Sequence, residues 1–309
     1  MLQKAIALRV DVDTSVGFKK GVPHLLRVFR DFGVKATFFI VMGPDTMGKH
    51  LKRFKEKDYF KRIIAVNPFN LLRDYGWRPF FYGTLLPSPQ VGAGHPELFL
   101  KVLEEGHEIG IHGYNHARWA DRYDTLTKEE IHQEIEKCRG MFCVLAGTPP
   151  LSSACPNWRC NDLILLEEEK FGFLYLSDVR GDTPFFPVVN GRKLNTLQIP
   201  QTLPTTHECL QAQKATRETV VDFILENYLV ETRLNVFTVH DWLEGLSGKK
   251  LLVDFIGGAL DLGYQFLRLK DVAEIILQQR ERVPTGRIVA KRVMGGIGEV
   301  ACQEGSCER

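Results

Sequence analysis

Three stretches carry residue types that could do chemistry. In Ala5-Ile6-Ala7-Leu8-Arg9-Val10-Asp11-Val12-Asp13 an apolar strand pattern ends in two carboxylates. A period of two points Asp11 and Asp13 to the same side. Carboxylates this close repel unless a cation or an arginine compensates them; the plainer role for Asp13-Thr14-Ser15 is the cap of a helix. In His107-Glu108-Ile109-Gly110-Ile111-His112-Gly113-Tyr114-Asn115-His116 a short apolar strand delivers His112, Gly113 permits a sharp turn, and His116 follows His112 by four residues. A helical turn sets both imidazoles on one side of the backbone. Two neutral imidazoles at that spacing are a natural divalent-metal pair that still lacks a carboxylate and an open position. The pair alone is weak evidence; its place at the end of a buried strand strengthens it, because barrel and open-sheet enzymes keep their chemistry there. In the third stretch, the strand pattern Asn235 to Val239 ends in His240-Asp241.

The elements that must position these groups alternate along the chain. Residues 20–33 have an amphipathic helix pattern with Val22, Leu25, Leu26 and Phe29 on one face and Gly33 as its stop. Val34 to Met42 is rich in β-branched and aromatic residues and predicts a second strand, so the unit is a right-handed parallel crossover. Later helices are expected over His95 to Glu105, from a Thr127/Glu130 capping box to about Leu145, and over Asn161 to Lys170, Thr216 to Glu231, 249–262 and 270–281. Strands are expected at Leu151 to Cys155, Phe173 to Ser177, Leu197 to Pro200 and Gln265 to Leu269. Seven or eight strands alternating with helices argue for an α/β fold, a distorted parallel (β/α) barrel of about seven strands. Residues 1–282 then form one catalytic unit and 283–309 a Gly- and base-rich, irregular tail.

Residues 44–94 interrupt the rhythm and are too long for an ordinary loop. Lys49, Lys52, Arg53, Lys55, Lys57, Lys61 and Arg62 are followed by Trp77, Phe80, Phe81 and Tyr82. A basic stretch with many aromatics suits a membrane-docking element; a packed lid with solvated lysines accounts for it equally well.

Composition bounds the partners. The 309 residues are 44% hydrophobic and 25% charged, ordinary globular values, and the net charge of +2 gives no global reason to expect nucleic acid. Seven cysteines include three pairs spaced by five, Cys138/Cys143, Cys155/Cys160 and Cys302/Cys307, none with the tight spacing of a structural zinc site; reduced thiols are the expectation. The N-terminal segment lacks the basic and long apolar regions of an export signal, and no stretch of about 20 apolar residues is present, so a cytosolic location is expected.

Asp11-Val12-Asp13, His112 with His116, Arg159, Asp178 and His240 fall in the order and approximate spacing of the motifs of the polysaccharide deacetylase (NodB-homology) family, which this chain resembles. Val12 between the two Asp residues, Cys160-Asn161 after Arg159 in place of the usual Pro-Tyr, and the absence of the usual Trp from the fourth motif at Asp178 depart from the family pattern and suit its deformylase branch. Further stretches carry that likeness: Gly43-Pro44-Asp45-Thr46-Met47-Gly48, Ser177-Asp178-Val179-Arg180-Gly181, Gln198-Ile199-Pro200-Gln201-Thr202-Leu203-Pro204-Thr205, and Glu244-Gly245. The resemblance implies one divalent metal, zinc before manganese, cobalt or nickel, held by Asp13, His112 and His116. It implies Asp11 as general base with Arg159 keeping it charged, and His240 as general acid oriented by Asp178. Tyr114, Trp158, Arg180, Thr202 and Glu244 are the implied substrate contacts. The implied substrate is an undecaprenyl-phosphate-linked 4-deoxy-4-formamido-L-arabinose at the inner face of the cytoplasmic membrane. It would be cleaved to formate and the free amino sugar for lipid A modification and cationic-peptide resistance. The alternatives are a cytosolic deacetylase or amidase of a soluble N-acyl sugar, and a metal-holding module that recognises a glycolipid without hydrolysing it.

Overall fold

The computed structural model describes residues 2–49, 72–73, 75–296 and 298–306. Its centre is β1 (Ala5–Val12), buried along its whole length. Alternation sorts its side chains into two environments. Ile6, Leu8, Val10 and Val12 belong to the core that packs under the surrounding helices. Ala5 and Ala7 face the interior of the sheet with Phe39, Tyr175, Leu197 and Val236.

Among the described residues, eight strands form one parallel sheet. They are β1, β2 (Thr37–Ile40), β3 (Glu108–Ile111), β4 (Ser152–Ser153), β5 (Tyr175–Leu176), β8 (Leu197–Gln198), β9 (Leu234–His240) and β10 (Gln265–Leu267). β9 lies along β1 from Ala5 to Asp11, while β10 and β2 pair with the first and last parts of β1. Beyond β8 the chain reaches back to β9, where Leu203 N donates to the Val236 carbonyl at 3.1 Å. The sheet therefore curls into the distorted parallel barrel that the alternation predicts.

Helices cover the outside. After a π-helical turn at Gly17–Gly21 come α1 (Val22–Asp31), α2 (Pro96–Glu104), α3 (His116–Arg122), α4 (Lys128–Ala146) and α5 (Asp162–Glu168). Then follow α6 (Thr206–Gln211), α7 (Val220–Tyr228), α8 (Lys249–Asp261) and α9 (Leu269–Leu277). The Thr127/Glu130 capping box is present at the start of α4. Gly21 is needed for a close approach: a Cβ there would stand 2.2 Å from the Asp241 carbonyl oxygen.

Three parts differ from the sequence expectation. The barrel strands β4, β5 and β8 are shorter than expected, two residues each. A small sheet of β6 (Phe186–Val189), β7 (Arg192–Lys193) and β11 (Thr285–Gly286) was not expected. The tail is not irregular: β12 (Ile288–Arg292) and β13 (Glu299–Gln303) form an antiparallel hairpin. It docks on the barrel through Arg180 N to the Ala301 carbonyl at 2.8 Å and Gln303 N to the Arg180 carbonyl at 2.7 Å. Val300, Ala301 and Cys302 are apolar enough to be buried there, under Trp158.

The basic run from Lys52 to Arg62 lies outside the described residues. In the described part of the insertion Trp77 and Leu85 are exposed, and Trp77 meets Phe81 edge-on at 6.0 Å. No described helix is long and apolar enough to cross a membrane.

Candidate metal centre

Strand ends gather the polar groups at one rim of the barrel. β1 and β9 are in register so that Asp11 is the direct neighbour of His240, and Asp241 N donates to the Asp11 carbonyl at 3.1 Å. β3 leads into His112; Gly113 then turns with φ of +74°, which a residue with a Cβ adopts only at a cost. Asn115 caps α3 by accepting from Arg118 N at 3.0 Å, and His116 is the first residue of that helix.

Asp13, His112 and His116 converge, with their ligand atoms all within 4.8 Å of one another. Asp13 Oδ1 is 3.4 Å from His112 Nε2 and 3.5 Å from His116 Nε2. Donors about 2 Å from a shared ion stand roughly 3.3 Å apart in a tetrahedron, so the spacing fits. Asp13 Oδ1 is buried and accepts no hydrogen bond, an orphan that a cation would satisfy. Outer contacts hold the set. His112 Nδ1 lies 2.7 Å from the Ala154 carbonyl, which leaves Nε2 turned to the centre. Trp242 Nε1 donates to Asp13 Oδ2 at 3.3 Å. Burial works to raise the Asp13 carboxyl, but the His116 and His112 imidazoles, with His240 beyond them, outweigh it and hold the group well below the usual carboxylate range. Burial also opposes charge on His112, yet Asp11 and Asp13 overcome it and raise the imidazole. The nitrogen, nitrogen and carboxylate donors suit a divalent ion such as zinc.

Asp11 lies beside this set, its Oδ2 3.6 Å from His112 Nε2. The cation that compensates it is Arg9, not Arg159. Arg9 is fully buried and reaches Ser177 as well, donating to its carbonyl at 2.5 Å. Its guanidinium lies 5.1 Å from the Phe39 ring and 5.2 Å from the Trp158 ring. Arg159 instead stacks 5.4 Å from the Tyr123 ring and lines a separate cavity with Asp121, Arg292 and Glu299.

His240 is buried in an aromatic corner with His207 at 4.9 Å and Trp242 at 5.2 Å between ring centroids. Its Nδ1 has no hydrogen-bond partner, and its backbone N donates to Glu244 Oε2 at 2.7 Å. Asp178 does not orient it: that carboxylate accepts from Cys155 N at 2.8 Å and from Gln198 Nε2 at 2.7 Å. Of the expected substrate contacts, Arg180 is tied to Glu208 at 2.8 Å, Trp158 is buried against Arg180 and Arg9, and Thr202 Oγ1 accepts from Val236 N. Tyr114 is half-buried, with Lys137 Nζ 5.6 Å from its ring. Arg9, His207 and Trp242 join the site without being among the expected site residues. For Arg9 the pattern was available, since it shares the period-two face of Asp11 and Asp13.

A cavity of about 500 Å³ begins two residues beyond Asp13, at Ser15, and is lined by Lys19, Lys20, Tyr75, Trp77 and Arg78 among others, with none of Asp11, Asp13, His112, His116 and His240 in its lining. Tyr75 OH stands 3.4 Å from Thr14 Oγ1, next to Asp13.

The polysaccharide deacetylase family model matches residues 1–176. A Shewanella sediminis protein assigned as a 4-deoxy-4-formamido-L-arabinose-phosphoundecaprenol deformylase, ArnD, is 33% identical over 269 residues, covering 87% of this chain and 86% of that protein. The protein of the same assignment from Wigglesworthia glossinidia brevipalpis is 32% identical, covering 94% and 99%. Among solved structures, a Mycobacterium smegmatis protein assigned as a polysaccharide deacetylase superposes with a TM-score of 0.59 at 17% identity, over 94% of this chain and 96% of that one. Peptidoglycan deacetylase PdaC of Bacillus subtilis gives 0.52 at 15% identity, over 90% and 94%.

Proposed function

The chain belongs to the polysaccharide deacetylase family, as a hydrolase of non-peptide carbon–nitrogen bonds, and we propose that it is a metal-dependent deformylase of an undecaprenyl-phosphate-linked 4-deoxy-4-formamido-L-arabinose. The observation that carries the reading is the pairing of Asp11 with His240 on neighbouring strands, beside the three donors Asp13, His112 and His116. A divalent ion on those donors, zinc first, would acidify water and polarise the formamide carbonyl. Asp11 takes the proton of the attacking water, with Arg9 fixing both of its oxygens. His240 then gives a proton to the leaving amine as the carbon–nitrogen bond breaks. The products are formate and the free amino sugar, which would serve lipid A modification and resistance to cationic peptides.

The lipid-linked phosphate is supported by the cavity that begins at Ser15. Exposed Lys19, Lys20 and Arg78 can meet a phosphate, and Trp77 beside them an apolar tail at the inner face of the cytoplasmic membrane. The test is incubation of the zinc-loaded protein with the lipid-linked formamido sugar, read by mass spectrometry and formate release. Loss of one formyl group is expected. Inertness toward this lipid together with turnover of a soluble N-acetyl sugar would transfer the assignment to a deacetylase of soluble substrates.

A further inference from the structure

We propose a second, structural metal site beneath the first, in which Cys155, Cys160, Glu168 and Asp178 bind a divalent ion of zinc type. One ligand atom from each lies within 4.8 Å of all the others, and the four residues are buried. The set comes from three parts of the barrel: the chain after β4 gives both cysteines, α5 gives Glu168, and the chain after β5 gives Asp178. Both cysteines are free thiols.

An unmet group points to a ligand. Glu168 is 1% exposed; its Oε1 accepts from Ser153 Oγ at 3.0 Å, but its Oε2 is buried without a hydrogen-bond partner. A buried carboxylate oxygen left so is costly, and a cation would satisfy it. Asp178 is already aimed by Cys155 N and Gln198 Nε2, each using one lone pair of an oxygen that has another to give. A cavity of about 10 Å³, lined by Glu134, Cys138, Cys155 and Glu168 among others, has room for one water as an outer ligand. Burial pushes the Cys160 thiol up to about 12 and raises the Cys155 thiol and the Glu168 and Asp178 carboxyls as well. Two thiolates with two carboxylates make a closed set of four, the pattern of a structural rather than a catalytic ion. The position gives it a purpose: Ala154, whose carbonyl holds His112 Nδ1, is the residue before Cys155. An ion at Cys155 would lock that carbonyl in place.

The catalytic donors include no sulfur, so the two sites can be read separately. The full chain and its His112→Ala variant are expressed with zinc, and metal is counted per chain. Two ions are expected in the parent and one in His112→Ala; adding Cys155→Ser and Cys160→Ser should remove that one. Cobalt loaded into His112→Ala should give a thiolate-to-cobalt charge-transfer band that Cys155→Ser or Cys160→Ser alone weakens to about half, which decides the matter if the triple variant does not fold. A His112→Ala chain with neither metal nor band, or an intact mass showing a Cys155–Cys160 disulfide, overturns the site.

Discussion

Arg9 holds Asp11 by two parallel hydrogen bonds from the same strand, Nε to Oδ1 at 2.6 Å and Nη2 to Oδ2 at 2.8 Å. A planar fork on both oxygens fixes the carboxylate in rotation as well as position, which an ammonium could not do. Arg9→Met should leave Asp11 buried without its counter-charge and lower stability by about 3–5 kcal/mol in urea unfolding. Arg9→Lys should fold better but lose about 10²-fold in kcat through misplacement of the base, with its metal content unchanged.

The three-donor set predicts the outcome of metal removal. His112→Ala should lose both the catalytic ion and deformylation, and a chelator should do the same to the parent protein, reversibly on adding zinc. A His112→Ala protein as active as its parent in formate release would remove the centre from the reaction.

Base and acid should separate from metal binding. Asp11→Asn and His240→Ala are each expected to lose roughly 10²–10⁴-fold in rate while metal analysis stays at the parent value. Loss of the ion in Asp11→Asn would mean that Asp11 and Asp13 have exchanged roles.

Stability should depend on pH through His107. Burial, with Lys35 and Arg268 nearby, lowers its imidazole to about 4, and it accepts from Ala36 N at 3.1 Å as a neutral ring between Phe29 and Phe38. The unfolded chain binds the proton near 6.5, so acid favours unfolding: stability falls as pH drops from about 6.5 to about 4, by roughly 3 kcal/mol from this group. His107→Gln keeps an acceptor for Ala36 and should flatten that part of the profile in chemical denaturation.

The basic cavity predicts a split in kinetics. Lys19→Ala with Arg78→Ala should raise KM for the phosphate-bearing substrate and leave kcat nearly unchanged. An analogue without phosphate should show no difference between the two proteins; an equal rise in KM for both substrates would argue against phosphate in the cavity.

What could be read from the sequence was what short-range geometry encodes. Asp11 with Asp13, and His112 with His116, are tied by periods of two and four, and the structure keeps each pair on one side. Alternation of strand and helix was enough for the barrel. Partners across the barrel were another matter. Arg159 and Asp178 were placed by motif order, which does not say whether a side chain after a strand turns inward or outward. Arg159 turned out to Tyr123, and Asp178 turned to Cys155. Two-residue strands such as β4 and β5 are too short to show a period. The tail hid its hairpin because Gly295, Gly296 and Gly298 dilute an apolar pattern that is only five residues long on either side.

The pairing of β1 also sets a timetable for synthesis. A ribosome makes β1 and soon β2, but β9 and β10, which cover the rest of β1, emerge only after Leu234 and Gln265. Arg9 and Asp11 can meet at once, being two residues apart; Asp11 and His240 cannot. Until then an apolar strand waits with one edge open, a template for pairing with other chains. Contacts of such long sequence separation close slowly. Stalling before β9 should therefore send nascent chains to aggregates rather than to a smaller folded unit.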